Sequence, residues 1–200
     1  MQKIRIHTFL FIAFSLIATT TSCDIFSTRD AQDPDQARSN NQPAVQPTIV
    51  IVNLINSLID KNVQDYMSCF VDSLFSSQKF TFSASGEVAS NYPIFLQGWG
   101  LSEEQRYITS VLSKINKDYP ISLTFNDENF SSLSGDSLIY TATYFLNVPI
   151  AAEGQSSVNY SGNLQFNMLR DSRSIWVIYL WKDTKSQTLP SWSELKGNNY

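Results

Sequence analysis

From Val158 to Met168 the chain alternates without a break. Val158, Tyr160, Gly162, Leu164, Phe166 and Met168 fall on one side, and Asn159, Ser161, Asn163, Gln165 and Asn167 on the other. A period of two is strand geometry, and one apolar face opposite one polar face predicts an antiparallel sheet covered on a single side. Leu138, Tyr140, Ala142, Tyr144 and Leu146 repeat the pattern, and Ile121 to Phe125 is a shorter run of it. Ile175 to Trp181 is apolar on both faces, as in a strand covered on both sides. Trp176 and Trp181 are five positions apart, which on a regular strand turns them to opposite faces. Gly154 to Ser157 and Asp171-Ser172 supply turns between these runs.

The half before the strands reads differently. Ile51, Leu54, Ile55 and Leu58 recur at helical spacing; after Asp60-Lys61-Asn62, Val63, Tyr66, Met67 and Phe70 do so again. Phe80 to Ser83 reads as a short strand, and Ser85-Gly86 and Asn91-Tyr92-Pro93 bracket a loop. Ser102 with Gln105 has the spacing of a capping box, ahead of a third helix carrying Ile108, Val111, Leu112 and Ile115; Pro120 ends it. Trp192 to Lys196 forms a last short turn of helix. Helices first and antiparallel strands after them predict an α+β domain, with N-terminal helices packed on a curved sheet.

The first 22 residues do not belong to that domain. Lys3 and Arg5 precede a nearly unbroken apolar run, Thr8 to Ala18, too short to span a bilayer comfortably. That is the pattern of a secretory signal. Small residues, Thr19 to Ser22, lead into Cys23, and this ending resembles a bacterial lipoprotein lipobox, although Thr20 stands where leucine is usual. The resemblance implies cleavage between Ser22 and Cys23 and acylation of Cys23, which would hold the chain to a membrane of the bacterial envelope. Whether that is the inner or the outer membrane stays open. Several acyl chains anchor far better than one, at about 0.8 kcal/mol per buried methylene. A disulfide between Cys23 and Cys69 is the rival reading; with Cys23 acylated, Cys69 becomes a small buried apolar residue.

Removing residues 1–22 takes away Lys3, Arg5 and His7 and no acid, which leaves 12 basic against 18 acidic residues. The remaining chain has no histidine. Serine and cysteine triads that rely on histidine are therefore excluded, as are histidine metal ligands, and one thiol cannot build a zinc site. No metal and no cofactor is expected, and an acidic chain argues against nucleic acid as partner. Residues 23–47 are rich in Asp, Gln, Asn, Ser and Pro and read as a lipidated cysteine with a flexible tether, which places the domain at residues 48–200.

The order of elements, with Asp65-Tyr66-Met67-Ser68-Cys69-Phe70, Trp176-Val177-Ile178-Tyr179-Leu180-Trp181-Lys182-Asp183 and Pro190-Ser191-Trp192-Ser193-Glu194-Leu195-Lys196, resembles the nuclear-transport-factor-2-like superfamily. This is the cone-shaped fold of ketosteroid isomerase, scytalone dehydratase and polyketide-cyclase-like proteins. The resemblance implies an apolar pocket inside the cone, with Tyr66, Trp99, Tyr140, Tyr144 and Tyr160 as its candidate lining. In the enzymes of the superfamily a carboxylate moves a proton and a tyrosine or protonated acid holds the oxyanion. Asp60, Asp65 and Asp72 lie in or beside the helical pair, but no enzyme motif of the superfamily is visible.

The favoured reading is an envelope protein that binds a small apolar ligand or an envelope partner without catalysis. The alternative is a histidine-free acid–base enzyme of isomerase or dehydratase type, using an aspartate and a tyrosine in the cone. The superfamily also implies that the sheet can pair with a second copy. Trp192 is expected to fold back over the sheet, and Trp99 to seal the mouth of the cone.

Overall fold

The structure, a computed structural model, describes residues 39–115, 118–149, 157–186 and 188–200. Cys23 and the signal segment lie outside the described residues, as does most of the Gly154–Ser157 turn. Two helices come first, α1 (Pro47–Ile59) and α2 (Val63–Ser68). A short strand β1 (Thr81–Ser83) leads to helix α3 (Gly86–Asn91), a 3-10 turn at Pro93–Gln97 and helix α4 (Leu101–Ser113). Four long strands follow: β2 (Ser122–Ser134), β3 (Ser137–Val148), β4 (Val158–Arg170) and β5 (Trp176–Lys185). Helix α5 (Trp192–Asn198) closes the chain.

Strand order across the sheet is β1-β5-β4-β3-β2. The long strands pair antiparallel, and β1 joins β5 in parallel through Thr81, Phe82 and Ser83. The sheet is therefore mixed rather than wholly antiparallel, because β1 arrives from the helical half. Beside β1, Cys69 and Val71 also bond to β5: the Ile178 amide donates to the Cys69 carbonyl (2.9 Å) and the Val71 amide to the Ile178 carbonyl (2.9 Å). This covers one edge of the sheet and leaves β2 as the other.

The helices lie on the face of Tyr140, Tyr144, Leu164, Phe166, Met168 and Trp181, all buried. On α1 the residues Val50, Ile51, Leu54 and Leu58 are buried at helical spacing. Asn53 shares that face and is satisfied by exchange with Gln42, whose amide donates to Asn53 Oδ1 (3.0 Å) while Asn53 Nδ2 donates to the Gln42 carbonyl (2.6 Å). Ala44 is buried, and its carbonyl accepts from the Trp176 amide (2.8 Å). The last residues of the stretch read as a tether thus pack onto the domain.

Three local features depart from the sequence reading. The loop expected between Ser85-Gly86 and Asn91-Tyr92-Pro93 is helix α3, anchored by the buried Val88, and the 3-10 turn follows it. The cap of α4 is two residues early: the Gly100 amide donates to Glu103 Oε2 (3.0 Å), and Ser102 sits inside the first turn. Strand β5 carries a bulge opposite Asn167/Met168, so Trp176 pairs with Arg170 and Trp181 with Phe166. Those partners are four residues apart on β4. The extra residue, Tyr179, therefore restores the parity and turns both tryptophans to the helix side.

Candidate functional site

Inside the cone, a polar network runs among the aromatic side chains. Glu104 on α4 is fully buried, and both its oxygens are engaged. Tyr66 donates its hydroxyl to Oε1 (2.6 Å), Trp99 donates Nε1 to Oε2 (2.7 Å), and the Lys196 ammonium donates to both. Lys196 is fully buried as well and comes from α5. Its nitrogen lies 4.0 Å from the ring centre of Trp181, 4.3 Å from Phe82, 4.7 Å from Tyr107 and 5.5 Å from Trp99. A desolvated cation among ring faces is attracted by their quadrupoles, on the order of 2 kcal/mol per good contact. Burial pushes the Lys196 ammonium down to about 8, against the pull of Glu104.

The same helix closes a second cluster. Asp183 on β5 accepts from the Tyr144 hydroxyl (2.9 Å) on Oδ1, and from the Ser193 amide (2.8 Å) and hydroxyl on Oδ2. The Tyr144 oxygen in turn accepts from the Trp192 amide (2.6 Å), and Trp192 Nε1 donates to the Tyr107 hydroxyl (2.8 Å). Trp192 packs edge-on against Trp181, with ring centres 4.6 Å apart, and against Tyr144 at 5.4 Å. It covers the inner face of the sheet, as expected. Helix α5 is seated by a capping box: the Ser191 amide donates to Glu194 Oε2 (2.6 Å), and Lys185 pairs with Glu194 Oε1 (2.7 Å).

Burial, then the neighbouring Glu104, holds the Tyr66 phenol well above its ordinary range, and Tyr107 responds to the same two influences. Tyr144 is raised by burial and by Asp183. Burial raises the Asp183 carboxyl more than its hydrogen bonds lower it. Tyr66 and Tyr144 are donors to these carboxylates, and the Tyr107 hydroxyl accepts from Trp192.

Of the residues singled out in the sequence, Tyr66 and Trp99 meet at Glu104, and Tyr144 joins them through Trp192 and Tyr107. Trp99 is buried against Phe82, Phe95, Tyr107 and Tyr200. Tyr160 is buried within electrostatic reach of Glu194, Tyr92 and Tyr107. Tyr140 donates to Glu128 Oε2 (2.8 Å) at a different place, the wall between α1 and β2. The aspartates of the helical pair face away from the cone. Asp60 accepts from Asn40 (2.9 Å), Asp65 from Asn62 (2.8 Å) and Asp72 from the Leu74 amide (2.9 Å). The carboxylates that do meet tyrosines are Glu104, Asp183 and Glu128.

A groove opens where Tyr140 meets Glu128. Ile51, Val52 and Ile55 of α1 face Leu123, Phe125, Glu128 and Phe130 of β2 across about 370 Å³. Val52 is 47% exposed and Phe130 39%, so its rim is apolar and wet. A second depression of about 330 Å³ lies on the outer face of the sheet, where Asp127, Thr143, Asn163, Gln165, Lys182 and Thr184 line it together with Thr141, Ala142 and Leu164. Its lining mixes polar and apolar surface. Among the described residues, no group of three or more His, Cys, Asp or Glu side chains is placed to hold a metal ion. Among the same residues, no helix is long and apolar enough to cross a membrane.

The helices on the concave face of a mixed, curved, unclosed sheet define the nuclear-transport-factor-2-like fold, and solved structures agree. A dehydratase-assigned protein of the NTF2-like family from Streptomyces avermitilis superposes with a TM-score of 0.55 at 12% identity, over 72% of this chain and 96% of that one. A protein from Novosphingobium aromaticivorans assigned as an aromatic ring hydroxylase gives 0.56 at 12% identity, over 77% and 96%. One assigned as a scytalone dehydratase, from the same species, gives 0.54 at 9%, over 69% and 80%. At such identities the likeness is one of fold. No protein-family model and no curated protein matches the chain.

Proposed function

We propose that this chain is a bacterial envelope lipoprotein, anchored through an acylated Cys23, whose domain binds a small apolar ligand in the α1–β2 groove without catalysis. The observation that carries the non-catalytic reading is the closed state of the cone. Glu104 and Asp183, the acids inside the cone, are buried with both oxygens engaged by the chain's own donors. A general acid or base must reach the substrate's proton, directly or through one water. The groove suits a binding role: its volume is in the range of small-molecule sites, its walls are mostly aliphatic and aromatic, and its polar side chains are Thr48, Thr124 and Glu128.

The test uses an environment-sensitive apolar dye, N-phenyl-1-naphthylamine, titrated into the protein carrying Cys23→Ser to keep it in solution. Val52→Lys and Phe130→Ser change exposed groove positions and should each weaken dye binding at least tenfold while leaving the melting temperature within a few degrees. Unchanged dye affinity in both variants would remove the groove from the proposal. Anchoring is tested separately by incorporation of an alkyne-tagged palmitate, which should vanish with Cys23→Ser.

A second reading has one specific observation behind it. Glu128 and Tyr140 are a carboxylate–phenol pair beside an open apolar groove, as an isomerase or dehydratase would need, and two fold neighbours are dehydratase-assigned. Burial and the adjoining Glu128 raise the Tyr140 phenol, and the phenol donates to that carboxylate rather than standing ready for a substrate oxygen. Glu128→Gln decides between the readings. It should leave apolar binding within about threefold if the groove only binds, whereas loss of a measurable turnover would favour the enzyme.

A further inference from the structure

Lys196 does not sit in a simple ion pair. The walls around its ammonium come from four separate parts of the chain: Tyr66 on α2, Phe82 on β1, Trp99, Glu104 and Tyr107 at and in α4, and Trp181 on β5. Four ring faces and one carboxylate converge on one point. The carboxylate is itself fixed by two neutral donors, Tyr66 and Trp99, so its free lone pairs point at the ammonium. Every wall residue belongs to the body of the cone, and only the ammonium is delivered by α5, on four methylenes from the last helix. A ring of aromatics around a carboxylate is the arrangement that recognises an alkylammonium group.

We propose that the interior of the cone is a binding site for a primary alkylammonium group, which this chain fills in cis with its own Lys196. Glu104 supplies the hydrogen-bonding selectivity and the aromatic walls supply the cation selectivity. The ammonium donates to both oxygens of Glu104, so a quaternary head group, which has no N–H, is rejected. A neutral isostere loses the charge on which the rings and carboxylate act. Helix α5 is then a tethered ligand, and its docking is the binding event of this site.

The experiment removes the ligand and leaves the box. Lys196→Ala deletes the γ, δ and ε carbons and the nitrogen, which together are n-propylammonium. In that variant n-propylammonium chloride should raise the melting temperature in a saturable way, by roughly 3–6 °C at ten times its dissociation constant. The same concentrations of 1-propanol or tetramethylammonium chloride should raise it by less than one degree beyond sodium chloride controls. Wild type should not respond, because its site is occupied, nor should Lys196→Met, whose side chain refills the space. Adding Glu104→Gln to Lys196→Ala should abolish the amine response. Should Lys196→Ala be unfolded at 25 °C, the same series is read as recovery of the near-ultraviolet circular dichroism of the buried tryptophans, expected with propylammonium alone. An equal response to propanol, an amine response that survives Glu104→Gln, or no amine response in either readout overturns the proposal.

Discussion

Replacing Lys196 by methionine keeps most of the stem and removes the charge, leaving Glu104 buried with only Tyr66 and Trp99 as donors. Removing one partner of a buried ion pair destabilises by about 3–5 kcal/mol, because the other charge is stranded. Loss of the contacts between the ammonium and four rings adds to this. For a domain of this size the loss corresponds to a fall in melting temperature of roughly 6–20 °C. The double variant gives the prediction its signature. Glu104→Gln with Lys196→Met should recover part of the loss, because no charge is stranded. Urea unfolding at pH 7 measures both quantities. A loss under about 1 kcal/mol, or a double variant no more stable than Lys196→Met alone, would refute a sealed ion pair.

Three further predictions follow from other parts of the molecule. Asp171 accepts from Arg173 Nε (2.9 Å) and Nη2 (2.6 Å) and from the Arg173 amide (2.9 Å), and these bonds outweigh burial and hold its carboxyl below the usual range. Its contribution is present above the ordinary aspartate pKa and lost as pH falls through the lowered one, so the gap between wild type and Asp171→Asn should be about 1–3 kcal/mol at pH 7 and narrow steadily as pH falls below the ordinary aspartate range. A Cβ on Gly162 would stand 2.6 Å from the Thr184 carbonyl and 2.7 Å from the Tyr144 hydroxyl, so Gly162→Ala should cost about 1–3 kcal/mol in chemical denaturation and loosen the Tyr144–Asp183 bond. The buried Cys69 thiol, raised by burial and then by Asp65, should resist a thiol reagent in native Cys23→Ser protein and react within the dead time once unfolded in urea.

The sequence discloses the parts of this fold that repeat. Helix α1 and strands β3 and β4 carry uninterrupted periods, and the α+β order follows from them. The second half of β2, Asn126 to Ser134, has no such period. It becomes a strand because β3 offers a ladder beside it, with a bulge at Asp127, which takes a positive φ of 53°. Helix α3 is too short to show a period. The parity of β5 is set by an extra residue whose presence depends on the register with β4, and register is a tertiary fact.

The site was legible in part. Aromatic residues announce themselves, and Tyr66, Trp99 and Tyr144 do converge. The acids were sought where aspartates are plentiful, in the helical pair, and those aspartates turn out to cap and turn at the surface. The working signal was a charge placed on an apolar stripe. Glu104 precedes Ile108 and Val111 at i+4 and i+7, and Lys196 follows Trp192 and Leu195 on one face of α5. Asp183 continues the inward side of Trp181. A charged residue in that position needs a partner, and the identity of the partner, 92 residues away for Lys196 and Glu104, is set only by the fold.

The central claim is that α5 delivers a charged lysine into a sealed, aromatic interior. Detection of lysine ammonium groups by proton–nitrogen correlation in uniformly labelled protein tests it most directly. Surface ammonium protons exchange too fast to be seen at neutral pH and room temperature. The account predicts one persistent ammonium signal, displaced by the ring currents of Trp181, Phe82 and Tyr107, and absent from Lys196→Met. A spectrum without a protected ammonium, or one whose protected signal survives Lys196→Met, would contradict it.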